Sequence, residues 1–259
     1  MKRILLFAFA AAALLCSCTG NDHPRILVHR GLVSEGDRFV TDENTLDALR
    51  RAQEHRDIGA VEFDVHMTRD SQLVIRHDNR IDVGLSCQGS TLEEIKAYTL
   101  PHGNKIPTLH EWLVQARETP WLRQALEIKV QKTQELENAM IRKCIDEIHA
   151  LGMDDQVTFV SFSVEGLKEV LRICPEADVV LNSSSLHDSM PPEEVKANGF
   201  TGVSYNMSVI LNHPEWIGQF RDLGIETYLW MVNSTYMRGI AEDLGFNWIT
   251  TDFYDIVKY

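Results

Sequence analysis

The 259-residue chain has no excess of cations, no cysteines paired at metal-binding spacing, no low-complexity tract and no apolar run long enough to cross a bilayer. Each absence excludes something. The formal net charge is -13, and about -15 once Lys2 and Arg3 are set aside. Nucleic acid needs clustered Lys and Arg, so this is a poor surface for it. The same deficit argues against docking on anionic lipid through a polybasic patch. A small anionic ligand is not excluded, because a local Arg, Lys or metal can reverse the sign inside a cleft. Cys87, Cys144 and Cys174 stand alone in the chain, which leaves room for at most one disulfide. At least two of them are expected to be buried as small apolar residues. No linker divides the chain, and 44% hydrophobic with 24% charged residues is an ordinary globular composition.

The first residues read as targeting rather than fold. Lys2 and Arg3 precede the apolar stretch Ile4 to Leu15, which is too short for a transmembrane helix. Leu15-Cys16-Ser17-Cys18 follows and resembles the lipobox of bacterial lipoproteins, with small Ser17 before the modified residue. Cys18 is the expected lipidation site; Cys16 fits less well, because Leu15 would then hold the small-residue position. The expected organisation is a signal segment over residues 1–17, a tether over 18–24 and one domain over 25–259. The resulting protein would be exported and anchored in the cell envelope, periplasmic or outer-membrane.

Past the tether, strand-like apolar runs recur at Ile26 to His29, Ala60 to Val65, Ala125 to Lys129, Val157 to Phe162, Asp178 to Asn182, Gly202 to Tyr205, Glu226 to Val232 and Trp248 to Thr251. Amphipathic periods lie between most of them. Thr45 to His55 puts Leu46, Leu49 and Ala52 on one face, with Asn44 or Thr45 as cap. Glu135 to Leu151 ends at Gly152, a C-terminal stop. Val164 to Ile173 and Tyr236 to Leu244 read the same way. Alternating strands and helices imply a parallel sheet, and eight repeats in this length imply a closed (β/α)8 TIM-type barrel.

One interval is too short for a helix. Between Asp64 and His77, Asp70-Ser71 can make a two-residue hairpin turn. That register sets Asp64 directly opposite His77, on one face, with Cβ atoms about 5 Å apart. The hairpin would run beyond the barrel rim and return His77 to the mouth. The stretch Asn79 to Ile106 is irregular apart from a capped turn at Thr91-Leu92-Glu93-Glu94. A long excursion on that side is where a lid or specificity loop would sit.

Residues at the C-terminal ends of parallel strands meet on one face of a barrel. His29, Arg30, Glu62, Asp64, His77, Glu127 and Lys129 hold such positions, and Trp230 sits within the run Glu226 to Val232. Glu62 and Asp64 share a face of one strand. Together with Glu127 they form an acidic cluster that cannot stay fully ionised without a counter-charge, and a divalent cation with oxygen ligands supplies it. His29 and His77 are the candidate proton-transfer groups, since imidazole titrates near neutrality and can either take or give a proton. Arg30 and Lys129 would hold phosphate oxygens. Glu43, before a helix start, would orient its neighbours rather than touch substrate, and Trp230 would wall the substrate's carbon atoms. His66 is the one other histidine that shares the hairpin face with His77. Two histidines, three carboxylates and two cations are the parts of a metal-assisted phosphodiester cleavage site.

In combination these segments resemble the glycerophosphodiester phosphodiesterase family. The segments are His29-Arg30-Gly31, Glu43-Asn44-Thr45, Gly59-Ala60-Val61-Glu62-Phe63-Asp64-Val65, Thr68-Arg69-Asp70-Ser71, His77-Asp78, Leu126-Glu127-Ile128-Lys129 and Trp230. Ile106-Pro107-Thr108-Leu109 and Ile249-Thr250-Thr251-Asp252 also look like family segments. The resemblance implies a TIM-type barrel, Ca2+ or Mg2+ on Glu62, Asp64 and Glu127, and acid/base roles for His29 and His77. It further implies hydrolysis of deacylated phospholipids to glycerol 3-phosphate and an alcohol, a small-molecule substrate with neither nucleic acid nor protein partner. Two departures stand out: Ser71 takes the turn glycine's place, and the run after Asp78 lacks the usual Thr-Leu-x-Arg-Thr pattern. The second leaves room for a lyase-type phospholipase acting on intact lipids through a cyclic phosphate. A lipoprotein that binds phosphodiesters without turning them over is the non-enzymatic alternative.

Overall fold

The computed structural model describes residues 23–259. The proposed signal segment, Cys18 and most of the tether lie outside that range. Eight parallel strands form the barrel: β1 (Arg25–Val28), β2 (Ile58–Met67), β3 (Arg123–Ile128), β4 (Val157–Ser161), β5 (Asp178–Ser183), β6 (Gly202–Asn206), β7 (Glu226–Trp230) and β8 (Trp248–Thr251). Each pairs with the next in sequence, and β1 pairs with both β2 and β8, so the sheet closes on itself. The expected barrel and all eight expected strands are present.

Alternation along each strand divides the side chains into two cores. Val61, Phe63, Val65, Leu126 and Ile128 point outward and pack under the helices. Leu27, Ala60, Ala125, Val160, Val180, Tyr228 and Trp248 point inward and form the barrel interior. Burial of the outer apolar face drives assembly at roughly 25 cal/mol per Å². The helices begin and end where their caps dictate. Thr45 accepts from the Ala48 amide to start Leu46–Gln53. Thr133 caps Gln134–Leu151, which stops at Gly152 in the left-handed region. Among the described residues Cys87 and Cys144 are buried and form no disulfide, and Cys174 is half-buried.

The barrel floor, at the N-terminal ends of the strands, is plugged by polar groups that satisfy one another. Glu226 accepts from Arg25, Arg123, the Tyr228 hydroxyl and the Trp248 indole N–H. Tyr228 stacks flat on Trp248, with centroids 5.4 Å apart. Gly59 is required beside this stack: a Cβ there would lie 2.8 Å from the indole ring.

The hairpin register departs from expectation. Val65 pairs Ile75, His66 pairs Val74 and Met67 pairs Leu73, so Arg76, not His77, stands opposite Asp64. The connection has three residues, Arg69-Asp70-Ser71, closed by Thr68 N–H donating to Gln72 O. A two-residue loop needs positive φ at its first central residue. This chain instead places Ser71 alone at φ +60, after a turn held by the Thr68 hydroxyl donating to Asp70. The stretch 79–106 is more ordered than expected. It holds the short ladder Arg80–Asp82 with Leu85–Ser86, the helix Leu92–Ala97, and a small core in which Cys87, Ile95, Leu100 and Ile106 pack with Val74 of the hairpin. Among the described residues, no helix is long and apolar enough to cross a membrane.

Candidate active site

His29 follows the end of β1, and the next turn is built to bring Arg30 over the barrel. Gly31 adopts φ +91, and a Cβ there would meet the Ala48 Cβ at 2.5 Å, so the helix Leu46–Gln53 packs directly on the backbone. Arg30 and Asn44 both adopt left-handed conformations, each at φ +58. Such backbone costs about 1 kcal/mol or more per residue and persists where surrounding contacts hold it. Here Asn44 N–H donates to Arg30 O at 2.8 Å, and Arg30 N–H donates to Glu62 Oε2 at 2.9 Å.

The acidic cluster forms as expected. Glu62, Asp64 and Glu127 are all buried, and each offers an oxygen within 4.8 Å of the others. In the β2–β3 ladder Asp64 lies directly beside Glu127. Lys129 Nζ bridges that pair, 2.8 Å from Asp64 Oδ1 and 2.6 Å from Glu127 Oε1. Asn44 Nδ2 donates to Asp64 Oδ2 at 2.7 Å, and Asn182 Nδ2 donates to Glu127 Oε2 at 3.2 Å. Glu62 Oε1 has no hydrogen-bond partner among the described residues.

The three carboxyls do not titrate alike. Burial, then the charges of Asp64 and Glu127, push Glu62 well above the usual carboxylate range. Burial and the Asp64 charge raise Glu127 as well. Asp64 is also buried, but Lys129, His77 and Arg30 overcome that penalty and hold it at about 2. Burial opposes the charge on Lys129, and Asp64 and Glu127 more than restore it. The cluster therefore holds more acid than its cations neutralise. An oxygen-only donor set, the orphaned Glu62 Oε1 and a shortage of positive charge fit a hard divalent cation.

Both expected histidines face one cavity of about 280 Å³, together with Arg30, Glu62, Glu127 and Trp230. Each ring is held from behind by a carboxylate. His29 Nδ1 lies 2.8 Å from Asp252 Oδ1, with Nε2 3.9 Å from Glu62 Oε2. His77 Nδ1 lies 2.8 Å from Asp78 Oδ1. A carboxylate only accepts, so each Nδ1 carries hydrogen and each Nε2 is left for the cavity. Burial lowers the His77 pKa. Below this layer the cavity continues between small side chains, Ala60, Ala125, Ser204 and Thr250, toward the floor.

Of the remaining expected residues, Glu43 accepts from the Arg30 guanidinium at 2.7 Å and so fixes Arg30 rather than backbone. Trp230 donates its indole N–H to Ser204 O at 2.9 Å and meets Phe162 edge-on, walling one side of the cavity. Three residues were missed in these roles. Asp252, itself held by Asn233 Nδ2 at 2.8 Å, orients His29. Asn44 orients Asp64 beyond any capping function. Arg76 reaches within 3.8 Å of Glu43 because of the shifted hairpin register. Closure signalled the first: Val28 pairs Thr251 across β1 and β8, so the residues that follow, His29 and Asp252, must be neighbours.

A closed parallel barrel with two carboxylate-backed imidazoles beside a cation-poor acidic cluster belongs to the barrel proteins that act on anionic esters at the mouth. Within that class, the Glycerophosphoryl diester phosphodiesterase family matches residues 29–256, and the chain belongs to this family. Similar structures include a glycerophosphodiester phosphodiesterase from Parabacteroides distasonis, 30% identical with TM-score 0.85, covering 92% of this chain and 97% of that one. A Glycerophosphodiester phosphodiesterase from Caldanaerobacter subterraneus is 29% identical over 169 residues, or 60% of this chain and 65% of its own length. An Oleispira antarctica phosphodiesterase, in complex with the product sn-glycerol-3-phosphate, shares the fold at 20% identity and TM-score 0.76, covering 91% and 96% of the two chains.

Proposed function

We propose that this protein hydrolyses glycerophosphodiesters, the deacylated forms of phospholipids, to glycerol 3-phosphate and an alcohol. The observation that carries this reading is the placement of two oriented imidazoles, His29 and His77, in one cavity with the acidic cluster. Phosphodiester hydrolysis needs a group that takes a proton from the attacking hydroxyl and one that gives a proton to the leaving oxygen. Asp252 and Asp78 keep the Nε2 edges of the two rings available for those tasks. Arg30, fixed by Glu43, supplies a guanidinium whose paired N–H groups match phosphate oxygens. Lys129 does not line the cavity; its Nζ sits between Asp64 and Glu127, where it would offset their charge and would reach phosphate only by leaving that bridge. Trp230 and Phe162 give the glycerol carbons an apolar wall.

Glu62, Asp64 and Glu127 would hold one divalent cation, Ca2+ or Mg2+. When bound it would stabilise negative charge on the phosphate oxygens. The rest of the work falls to the side chains just named.

The protein is further proposed to be an exported lipoprotein of the cell envelope, anchored through Cys18. The charged start, the apolar stretch and Ser17-Cys18 support this. So does the chain's path: Arg25 enters at the barrel floor, opposite the mouth, so a tether there leaves the site clear for a soluble substrate. Substituting Cys18→Ser should move the protein from the membrane to the soluble fraction.

A panel of glycerophosphocholine, glycerophosphoethanolamine and glycerophosphoinositol, assayed with Ca2+, Mg2+ or chelator, tests the activity. Metal-dependent release of glycerol 3-phosphate supports the reading. A cyclic phosphate product, or turnover of intact lipid in preference, would replace hydrolysis with the lyase reaction. Ligand binding without turnover under every metal would leave a binding protein.

A further inference from the structure

Strand alternation alone does not explain why His77 faces the cavity. Arg76 is the ladder partner of Asp64, with its N–H on Asp64 O at 2.9 Å. A continuing strand would send His77 to the opposite face. The chain instead leaves the ladder after Arg76, and the acceptors that follow are taken up one by one. His66 Nε2 meets His77 O at 3.1 Å. Cys87 Sγ meets Asp78 O at 3.7 Å, and Cys87 N–H donates to Asn79 O at 2.7 Å. Gln88 N–H donates to Asn79 Oδ1 at 2.9 Å. The Gln88 side-chain nitrogen donates to Val130 O at 3.0 Å and lies 3.4 Å from His66 Nδ1.

This network assigns a tautomer. A carbonyl oxygen only accepts, so His66 Nε2 carries the hydrogen. Nδ1 then presents its lone pair to the second hydrogen of the Gln88 amide. Both nitrogens are engaged, so neither is free to bind a metal or move a proton. The ring is buried, at 3% exposure.

We propose that His66 is a positioning residue: its Nε2–H, steadied by Gln88, holds the His77 carbonyl and turns the His77 ring into the cavity. His66 would act only through His77, so its kinetic consequence rests on the proton-transfer role proposed for His77. Gln88 also ties this clamp to Val130, next to Lys129, so the two sides of the mouth are joined through one amide.

Three variants separate positioning from packing. Gln can place an amide nitrogen near the position of Nε2, Asn near that of Nδ1, and Leu supplies bulk without a donor. For His66→Leu and His66→Asn, kcat on glycerophosphocholine should fall about 10- to 100-fold with KM within about threefold. His66→Gln should stay within about threefold of wild type in kcat. Equal effects of Gln and Asn, a loss confined to KM, or a loss that only tracks the folded fraction would overturn the proposal. Long-range 1H–15N spectra of the wild-type protein give a readout that needs no turnover. They should show His66 as the neutral Nε2–H tautomer near pH 7. A protonated ring or the Nδ1–H form would overturn the proposal, while failure of wild-type turnover with the expected tautomer would count against the proposed function instead.

Discussion

The two ends of this barrel carry the same kinds of side chain and treat them in opposite ways. At the floor, burial works against the Glu226 charge, but Arg25, Tyr228 and Arg123 overcome it and hold the carboxyl below its usual range. At the mouth, Glu62 is buried with two further carboxylates and too few cations, and its pKa rises. The floor is a closed network with four donors on one carboxylate. The mouth has an orphaned oxygen, two left-handed residues and two imidazole Nε2 atoms with no hydrogen-bond partner among the described residues. Charge balance marks the structural end of the barrel, and charge imbalance marks the end proposed to take a ligand.

The largest expected effect breaks the comparison at the mouth. His29→Ala and His77→Ala should each lower kcat/KM for glycerophosphoethanolamine by about 10²- to 10⁴-fold, with little change in Tm. A loss of thermal stability without a specific loss of rate would make the mouth structural, like the floor.

Next in size is the mirror experiment. Glu226→Leu leaves Arg25 and Arg123 without their shared partner and should cost about 1–3 kcal/mol of stability, read as a Tm lower by several degrees. Its kcat should stay within about threefold of wild type, because Glu226 itself does not line the cavity and its partners Arg123, Tyr228 and Trp248 meet that cavity only at its lower end. A large drop in kcat at unchanged Tm would show that the two ends are coupled.

The pH dependence of stability sharpens the contrast further. A carboxyl whose folded pKa lies above its unfolded value of about 4.3 binds protons more tightly when folded, so its contribution is lost as pH rises through the folded pKa. Glu62 is such a group. In chelator, stability should therefore decline above the ordinary carboxylate range, and Glu62→Gln should flatten that decline. Glu226 has the opposite sign: its contribution is present above about 4.3 and is lost as pH falls through its lowered folded pKa. Glu226→Gln should therefore weaken the acid-side loss only. Tm against pH for the two variants, in chelator, is the measurement; identical curves would erase the distinction.

The last comparison concerns metal, and its size is set by the concentration added. Added Ca2+ or Mg2+ should raise Tm in proportion to the logarithm of its concentration above Kd, about 2.7 kcal/mol at a hundredfold excess. The shift should vanish in Asp64→Asn and persist in Glu226→Gln. An equal shift in both would place the ion somewhere other than the acidic cluster.

Much of this was legible before any coordinates, for definite reasons. Apolar runs alternating with capped amphipathic periods specify a parallel barrel, and a barrel brings strand ends together whatever their separation in sequence. His29, Glu62, Asp64 and Glu127 follow from that rule alone. The hairpin did not follow, because its register depends on a single residue of loop length. Thr68, Asp70 and Ser71 favour three loop residues where two were expected. His77 reaches the cavity nonetheless, through contacts from His66, Cys87 and Gln88 that periodicity cannot reveal. Asn44 looked like a helix cap because its amide links to Asp64 depend on a left-handed backbone. Asp252 was within reach, since closing the barrel sets the residue after β8 beside the residue after β1.

The most direct test is the initial rate of glycerol 3-phosphate release from glycerophosphocholine, with saturating divalent metal, in wild type, His29→Ala and His77→Ala side by side. The expected result is rapid release by wild type, abolished by chelator, and at least about a hundredfold slower in each variant. Full turnover by both variants in the presence of metal would contradict the assignment of the two imidazoles, and with it the proposed chemistry of the mouth.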